Sequence, residues 1–302
     1  MYDMIIVGAG PAGLSAGLYA ARSSMKVAIF ERGLIGGQMA QTLEVENYPG
    51  YTQNDAFTLI EKMKSQAEGF GCTIFQKSIS KIDFQNKIVY AGEESFKTKT
   101  IVLAMGSQPK KIGIVGEEEY GGRGVSYCAT CDGAFFRDKT VAVIGGGNSA
   151  VEEGCFLTKF AKKVFIIHRR DTLRATKIVQ QIAFDNRRIE FVFNSTPQKV
   201  LGNDVVEGIE IKDVKTDKSR ILKVDGVFFY VGILANTEIV GKQIKKDDIG
   251  FLVVDRRMRT GIDGVFAAGD VLSKELRQVV TAVADGAVAA VEAEKYLGLT
   301  YR

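Results

Sequence analysis

The stretch MIIVGAGPAG, residues 4–13, joins a short apolar run to the glycine pattern G-x-G-x-x-G. The apolar run is typical of a strand buried on both faces, and Pro11 suits the first turn of a helix that we expect to reach Arg22. A second apolar run, Val27–Phe30, ends in Glu31. This order predicts a βαβ unit that binds a dinucleotide, with the pyrophosphate at the helix N-terminus and Glu31 on an adenosine ribose. A plain βαβ unit with tight turns is the alternative.

A second copy of the pattern lies in the run TVAVIGGGNSAVEE, which begins at Thr140. Val141–Ile144 is the expected strand, a helix is expected over residues 148–160, and Val164–Ile167 is the next strand. The three fingerprint positions are filled by Gly145, Gly147 and Ala150. The chain therefore contains two predicted nucleotide-binding units.

The second copy ends in basic residues, where the first copy has Glu31. His168, Arg169 and Arg170 follow the strand directly, and Arg174 comes one turn later. An acid at this place would repel a 2′-phosphate, whereas paired arginines bind it with charge-assisted hydrogen bonds. The pattern predicts NADP rather than NAD, and a solvated basic face is the alternative.

Composition limits the class of protein. The chain has 302 residues, which favours two domains, and 46% hydrophobic with 25% charged residues, as in globular proteins. With 40 basic and 36 acidic residues, the balance is too mild to indicate nucleic-acid binding. We see neither a signal peptide nor an apolar run of the roughly 18 residues that a membrane span needs. The expected location is the cytoplasm, where four cysteines do not form a structural disulfide framework.

A Cys-x-x-Cys pair lies between the two glycine loops, in SYCATCDGAFF at residues 126–136. Cys128 and Cys131 are close enough for a reducible disulfide. A zinc site needs four ligands, and Cys72 and Cys155 are isolated in sequence, so we interpret them as small buried side chains. Asp132 is either a turn residue or the acid of the dithiol, and the second role needs a pKa raised by burial.

Eight motifs together resemble one family along nearly the whole chain, the bacterial-type low-molecular-weight thioredoxin reductases, class II of the pyridine nucleotide-disulfide oxidoreductases. The motifs are GAGPAG at residue 8, GGQ at 36, ENYPG at 46, CATCDGAFF at 128, GGGNSAVEE at 145, HRRDTLRA at 168, GVFAAGD at 264 and LRQVVTA at 276. The resemblance implies an α/β fold with two Rossmann-like dinucleotide-binding domains, each three-layered with a parallel sheet, the second inserted in the first. The expected FAD-binding domain is residues 1–111 and 238–302, and the NADP-binding domain, carrying the dithiol, is residues 112–237.

The resemblance also implies two sets of cofactor-binding residues. For FAD they are Gly8, Gly10, Pro11, Ala12, Gly13, Glu31, Arg32, Gly37, Gln38, Asn47, Ala104, Gly106, Gly269, Asp270, Arg277, Gln278 and Val279. For NADP they are Gly145, Gly147, Asn148, Ser149, Ala150, His168, Arg169, Arg170 and Arg174. The helix expected from about Gln278 to Leu297 would direct its positive end at the flavin.

The activity implied is that of a homodimeric flavoprotein that passes electrons from NADPH through FAD and the dithiol to thioredoxin. By resemblance, Cys131 faces the flavin, Cys128 attacks the substrate disulfide, and Asp132 protonates the released thiolate. The dithiol precedes the second glycine loop, so we expect it to share a domain with NADP and to alternate with the nicotinamide at the flavin by domain rotation. The bending segments are expected near residues 111–116 and 232–241, where Val115 and Ala235 replace prolines common in the family.

Other classes fit less well. Large disulfide reductases of the glutathione reductase type have a third domain and a base histidine. This chain is too short for the third domain, and its single histidine, His168, belongs to the basic segment. A peroxiredoxin-reducing flavoprotein would need an extra dithiol domain, and a ferredoxin-dependent relative would be expected to lose the basic NADP segment. A non-catalytic nucleotide sensor would not need the dithiol. If the purified protein is yellow and NADPH reduces it, this class is excluded.

Overall fold

The computed structural model describes residues 1–41, 44–53 and 55–298. Residues 42, 43, 54 and 299–302, which fall in the expected FAD-binding domain, lie outside this description. The chain forms two compact units, which we call unit 1 (residues 1–108 and 234–302) and unit 2 (residues 109–233).

Unit 1 is built on one sheet with the strand order β3-β2-β1-β6-β5-β4, and β17 also pairs with β6. The strands are β1 (Tyr2–Val7), β2 (Val27–Phe30), β3 (Thr73–Phe75), β4 (Lys81–Asp83), β5 (Ile88–Ala91), β6 (Glu94–Leu103) and β17 (Val265–Ala267). β1 pairs in parallel with β2 and β6, β2 with β3, and β6 with β17. β5 pairs antiparallel with β4 and with the first part of β6. Its α-helices are α1 (Pro11–Arg22), α2 (Ala56–Gly69) and α6 (Val279–Tyr296).

The helices of unit 1 cover a sheet whose central strands are fully buried. Met4 to Val7 of β1 are all buried, as a parallel strand covered on both faces requires. α6 packs closely on α1, because a Cβ on Gly286 would overlap the carbonyl oxygen of Ala12. Ser15 Oγ also donates to the Val283 carbonyl at 2.8 Å. The last helix of the chain is thereby fixed beside the first glycine loop.

Unit 2 contains a parallel sheet with the order β11-β10-β9-β15-β8 and an antiparallel sheet with the order β12-β13-β14. The strands are β8 (Val125–Ser126), β9 (Thr140–Ile144), β10 (Lys163–Ile167), β11 (Ile189–Val192), β12 (Ser195–Gly202), β13 (Val206–Asp213), β14 (Ser219–Lys223) and β15 (Gly226–Phe229). The helices are α3 (Ala129–Asp132), α4 (Asn148–Leu157) and α5 (Lys177–Phe184). Two further strands, β7 (Ser107–Pro109) and β16 (Ile233–Ala235), pair where the chain passes between the units.

The predicted α/β fold with two Rossmann-like units and parallel sheets is confirmed. One boundary was wrong: α4 ends at Leu157 rather than near residue 160. Thr158 Oγ1 donates to the Cys155 carbonyl at 2.7 Å, and the next amides bond three residues back, so the chain tightens into a turn. Across the described part of the chain, none of the helices is long and apolar enough to span a bilayer.

Candidate active site

The first glycine loop joins β1 to α1 and leaves an open face at the helix N-terminus. Gly8 has a φ of +107°, and a Cβ there would overlap the Ala104 carbonyl oxygen, so only glycine fits beside the end of β6. A Cβ on Gly10 would meet nothing within 4 Å, and no side chain caps α1. The loop therefore offers uncapped backbone N–H groups and free space, which suits a pyrophosphate.

Glu31 follows β2 and lies against this loop. Its Oε2 accepts from the Ala9 N–H at 2.7 Å and its Oε1 accepts from the Gly33 N–H at 2.7 Å. Because an ionised carboxylate has about four lone-pair sites, each oxygen retains acceptor capacity for a ribose hydroxyl. Arg32 and Gln38 are exposed. Gly37 begins a 3₁₀ turn, and a Cβ on Gly37 would lie 3.3 Å from the Cα of Gly10.

The C-terminal segment brings polar groups to unit 1 after β17. Asp270 Oδ1 is buried without a hydrogen-bond partner among the described residues, and Lys274 Nζ lies 3.6 Å from it. Burial raises the pKa of Asp270, while Lys274 and Arg277 lower it. A buried carboxylate oxygen with no donor is unusual, and the hydroxyl-rich ribityl chain of FAD would supply one.

Other predicted flavin residues meet at the start of α6. Asn47 Nδ2 donates to Gln278 Oε1 at 2.9 Å, and Gln278 forms a capping box with Thr281, so Val279 begins the helix. The Arg277 guanidinium lies 4.1 Å above the Phe251 ring and donates to the Leu272 carbonyl, which turns it inward. The remaining predicted glycines, Gly106 and Gly269, adopt positive φ at the ends of β6 and β17.

The second glycine loop repeats this geometry in unit 2. Gly145 has a φ of +154°, and a Cβ there would lie 2.6 Å from both Ala150 Cβ and the Tyr230 carbonyl oxygen. A Cβ on Gly147 would meet nothing within 4 Å, and α4 begins without a side-chain cap. Asn148, predicted to contact NADP, accepts from the Thr176 N–H at 2.8 Å through its Oδ1, and Ser149 is exposed.

Three exposed arginines lie beside this second loop. The segment that carries Arg169, Arg170 and Arg174 folds back on it, with the Arg174 N–H donating to the Gly146 carbonyl at 2.7 Å. His168 differs from them because only 5% of it is exposed, and a Cβ on Gly146 would overlap its Nδ1. Burial and the three arginines lower the pKa of His168, so its ring is neutral beneath an exposed cationic surface that suits a phosphate.

The dithiol lies at the start of α3 as a Cys128–Cys131 disulfide, with Cα atoms 5.3 Å apart. Cys128 precedes the first residue of the helix, and its Sγ accepts from the Cys131 N–H at 3.2 Å. Burial raises the pKa of Asp132, and the Ser126 hydroxyl, which donates to Asp132 Oδ2 at 2.6 Å, lowers it. The structure thus brings the two cysteines together with an acid that favours its neutral form.

Sequence reasoning missed two groups around the dithiol. The Tyr230 hydroxyl accepts from the Ala129 N–H at 2.5 Å, and the Tyr230 backbone contacts the second glycine loop. Glu153 on α4 hydrogen-bonds Thr130, and burial together with Glu152 raises its pKa. Both residues between the cysteines are therefore held by polar side chains from distant elements. No sequence pattern indicated these contacts, since they depend on how β15 and α4 pack in unit 2.

Both cofactors fit the residues present. In unit 1 the uncapped N-terminus of α1, the Glu31 carboxylate and the unpartnered Asp270 oxygen match the pyrophosphate, ribose and ribityl chain of FAD. In unit 2 the uncapped N-terminus of α4 and the exposed arginines match the pyrophosphate and 2′-phosphate of NADP.

Comparisons with known proteins agree with this chemistry. The family described as pyridine nucleotide-disulphide oxidoreductase matches residues 2–286. A thioredoxin reductase from Listeria monocytogenes is 46% identical over 98% of this chain and 94% of its own length. The crystal structure of a Streptococcus pyogenes thioredoxin reductase has 46% identity and a TM-score of 0.95, with 99% of each chain covered. A Lactococcus lactis thioredoxin reductase in its FR conformation is also 46% identical, with 98% and 99% coverage and a TM-score of 0.68. The chain therefore belongs to the pyridine nucleotide-disulphide oxidoreductase family, within its group of low-molecular-weight thioredoxin reductases.

Proposed function

We propose that the chain is an NADPH-dependent thioredoxin-disulfide reductase in which Cys128 and Cys131 carry electrons to thioredoxin. The observation that carries this proposal is the Cys128–Cys131 disulfide beside the buried Asp132, in the same unit as the basic glycine loop. FAD, when bound, would supply the chemistry that converts a hydride from NADPH into two electrons for the disulfide. Unit 1 provides the FAD-binding residues and unit 2 the NADP-binding residues.

Unit 2 performs the exchange with its own side chains. Two electrons break the Sγ–Sγ bond and leave a thiolate on each cysteine. The Cys131 N–H stabilises negative charge on Cys128 Sγ. The Cys128 thiolate attacks one sulfur of the thioredoxin disulfide, and a mixed disulfide forms as a thioredoxin thiolate leaves. Cys131 then attacks Cys128 Sγ, which releases the second thioredoxin thiolate and restores the internal disulfide.

Asp132 is the acid of this exchange. Ser126 donates to Oδ2, so we assign the proton of the carboxyl, when Asp132 is protonated, to Oδ1. From there it passes to the thioredoxin thiolate that leaves first, and solvent protonates the second. A raised pKa keeps this proton in place at a pH where an exposed carboxyl would have lost it.

Rotation of unit 2 between two positions lets nicotinamide and dithiol use the flavin in turn. Both groups belong to one unit, and each must come within contact distance of the same ring.

We also place the enzyme in the cytoplasm as a homodimer. The homodimer follows from the resemblance to class II thioredoxin reductases, and Phe57 on α2, which is 69% exposed, is a candidate contact residue. Light scattering of the purified holoenzyme measures the oligomeric state, and a monomer at micromolar concentration would contradict the dimer.

Anaerobic titration with NADPH, followed by oxidised thioredoxin, tests the function. The flavin absorbance should bleach with NADPH and recover when thioredoxin is added. Cys128→Ser and Cys131→Ser should each bleach but fail to turn over thioredoxin, whereas Cys72→Ser, the matched control, should turn over normally. Full turnover by either of the first two variants would remove the dithiol from the mechanism.

A further inference from the structure

Glu117 lies in a segment to which the sequence analysis gave no role, just after the chain enters unit 2. Only 1% of this residue is exposed. Its Oε2 accepts from the Gly113 N–H at 2.7 Å, from the Ile112 N–H at 3.1 Å and from the Ile114 N–H at 3.4 Å. Three consecutive backbone N–H groups therefore converge on one carboxylate, an arrangement that fixes the local backbone.

The same carboxylate also reaches the dithiol segment. Tyr127 Oη donates to Glu117 Oε1 at 2.9 Å, and Tyr127 is the residue immediately before Cys128. The Tyr127 ring packs 5.8 Å from the Phe229 ring at the end of β15. Burial and Glu117 raise the pKa of Tyr127, which keeps the hydroxyl as a donor. One buried carboxylate thus joins the entering segment to the backbone that carries the reactive sulfur.

The residues after Ile114 are also held within unit 2. The Val115 carbonyl accepts from the Val200 N–H at 2.9 Å, and a Cβ on Gly116 would lie 2.5 Å from the Val200 carbonyl oxygen. Residues 112–117 are consequently tied to β12 and to the dithiol segment. Before them, Pro109 belongs to β7, which pairs with β16, and the Lys110 N–H donates to the Gly232 carbonyl. Lys111 Nζ lies 2.6 Å from Glu118 Oε1, so Lys111 is also tied to the residue after Glu117.

We propose that Glu117 is a positioning residue that makes residues 112–117 and the Cys128 segment one rigid body. The proposal rests on the proposed function, in which unit 2 rotates between half-reactions. It excludes residues 112–116 from the bending segment expected from sequence, residues 111–116. A dithiol segment held rigidly within unit 2 adopts fewer orientations, and turnover depends on how often it reaches a productive one.

The test compares Glu117→Gln and Tyr127→Phe with Glu119→Gln, an exposed neighbour of the same chemistry. Glutamine keeps the shape of Glu117 but removes its negative charge and one acceptor oxygen, so the backbone N–H groups lose a charged acceptor. In Glu117→Gln holoenzyme, the amides of residues 112–114 should exchange with D₂O about tenfold faster, as for a lost charged acceptor. Its kcat for thioredoxin should fall by about three- to tenfold with both KM values within about twofold, because a conformational step has changed.

Tyr127→Phe separates the two contacts. Exchange at residues 112–114 should stay at the wild-type rate, since their acceptor remains, while kcat falls as in Glu117→Gln. Unchanged amide exchange in Glu117→Gln, or wild-type kcat in Tyr127→Phe, would overturn the proposal, and the second variant decides alone if the first does not fold. Failure of NADPH to bleach the wild-type flavin would instead contradict the proposed function, because amide exchange reports the Glu117 contacts independently of activity.

Discussion

Ser126 Oγ lies 2.6 Å from Asp132 Oδ2 and donates to it. Ser126 Oγ also accepts from the Cys128 N–H at 3.0 Å. The hydroxyl therefore connects the acid to the backbone of the attacking cysteine. This contact opposes the effect of burial on the pKa of Asp132, so it sets how far that pKa rises. It also orients the carboxyl toward the dithiol segment.

Asp132→Asn should slow thioredoxin reduction by about 100-fold, the usual contribution of a general acid, because the amide has no proton to give. The pKa of Asp132 is raised in the folded protein, so the neutral acid persists at low pH and is lost as pH rises through the raised value. Stopped-flow measurement across pH should show a decline on the alkaline side in the wild type. The same decline in Asp132→Asn would assign it to another group.

Ser126→Ala should move that alkaline limb to higher pH. Removing the donor to Oδ2 destabilises the ionised carboxylate and leaves burial to raise the pKa of Asp132 further. Ser219→Ala, an exposed serine on β14, is the matched control and should leave the profile in place. A limb that stays fixed in Ser126→Ala would show that the hydroxyl does not control the acid.

Arg169→Ala combined with Arg170→Ala should raise the KM for NADPH far more than the KM for NADH. Each charge-assisted contact to a phosphate contributes roughly 1.5–3 kcal/mol, which is somewhat more than tenfold in affinity. Steady-state kinetics with both nucleotides measures the difference, and Arg220→Ala combined with Lys223→Ala on β14 provides a matched loss of two charges. Equal losses with NADPH and NADH would mean that the pair does not bind the 2′-phosphate.

Gly146→Ala should destabilise unit 2, because the new Cβ would overlap the buried ring of His168. Overpacking of this kind costs about 1–3 kcal/mol, and thermal unfolding measures it. Gly147→Ala is the matched comparison for stability, since its Cβ would meet nothing within 4 Å. If both variants melted at the wild-type temperature, His168 would have moved aside.

The glycine loops could be predicted from local patterns, because strand, turn and helix are contiguous there. Gly8 and Gly145 adopt positive φ, a conformation that glycine in the sequence already indicates. The proximity of Cys128, Cys131 and Asp132 was equally local. The orientation of His168 was not predictable, since its burial depends on the fold of the segment that returns to Gly146. Contacts such as those of Tyr230 and Glu117 lie beyond sequence reasoning, because they join elements that only the tertiary structure brings together.

The close fit of α6 on α1 has a consequence for synthesis on the ribosome. Unit 1 needs β17 and α6, which are translated last, to cover the apolar face of a helix that is translated first. Residues 109–233 are synthesised before α6, so unit 2 can fold while the N-terminal βαβ segment still lacks the helix that covers its apolar face. A purified fragment that ends at residue 240 should therefore contain a protease-resistant unit 2 and a protease-sensitive N-terminal segment, and the full chain should protect both.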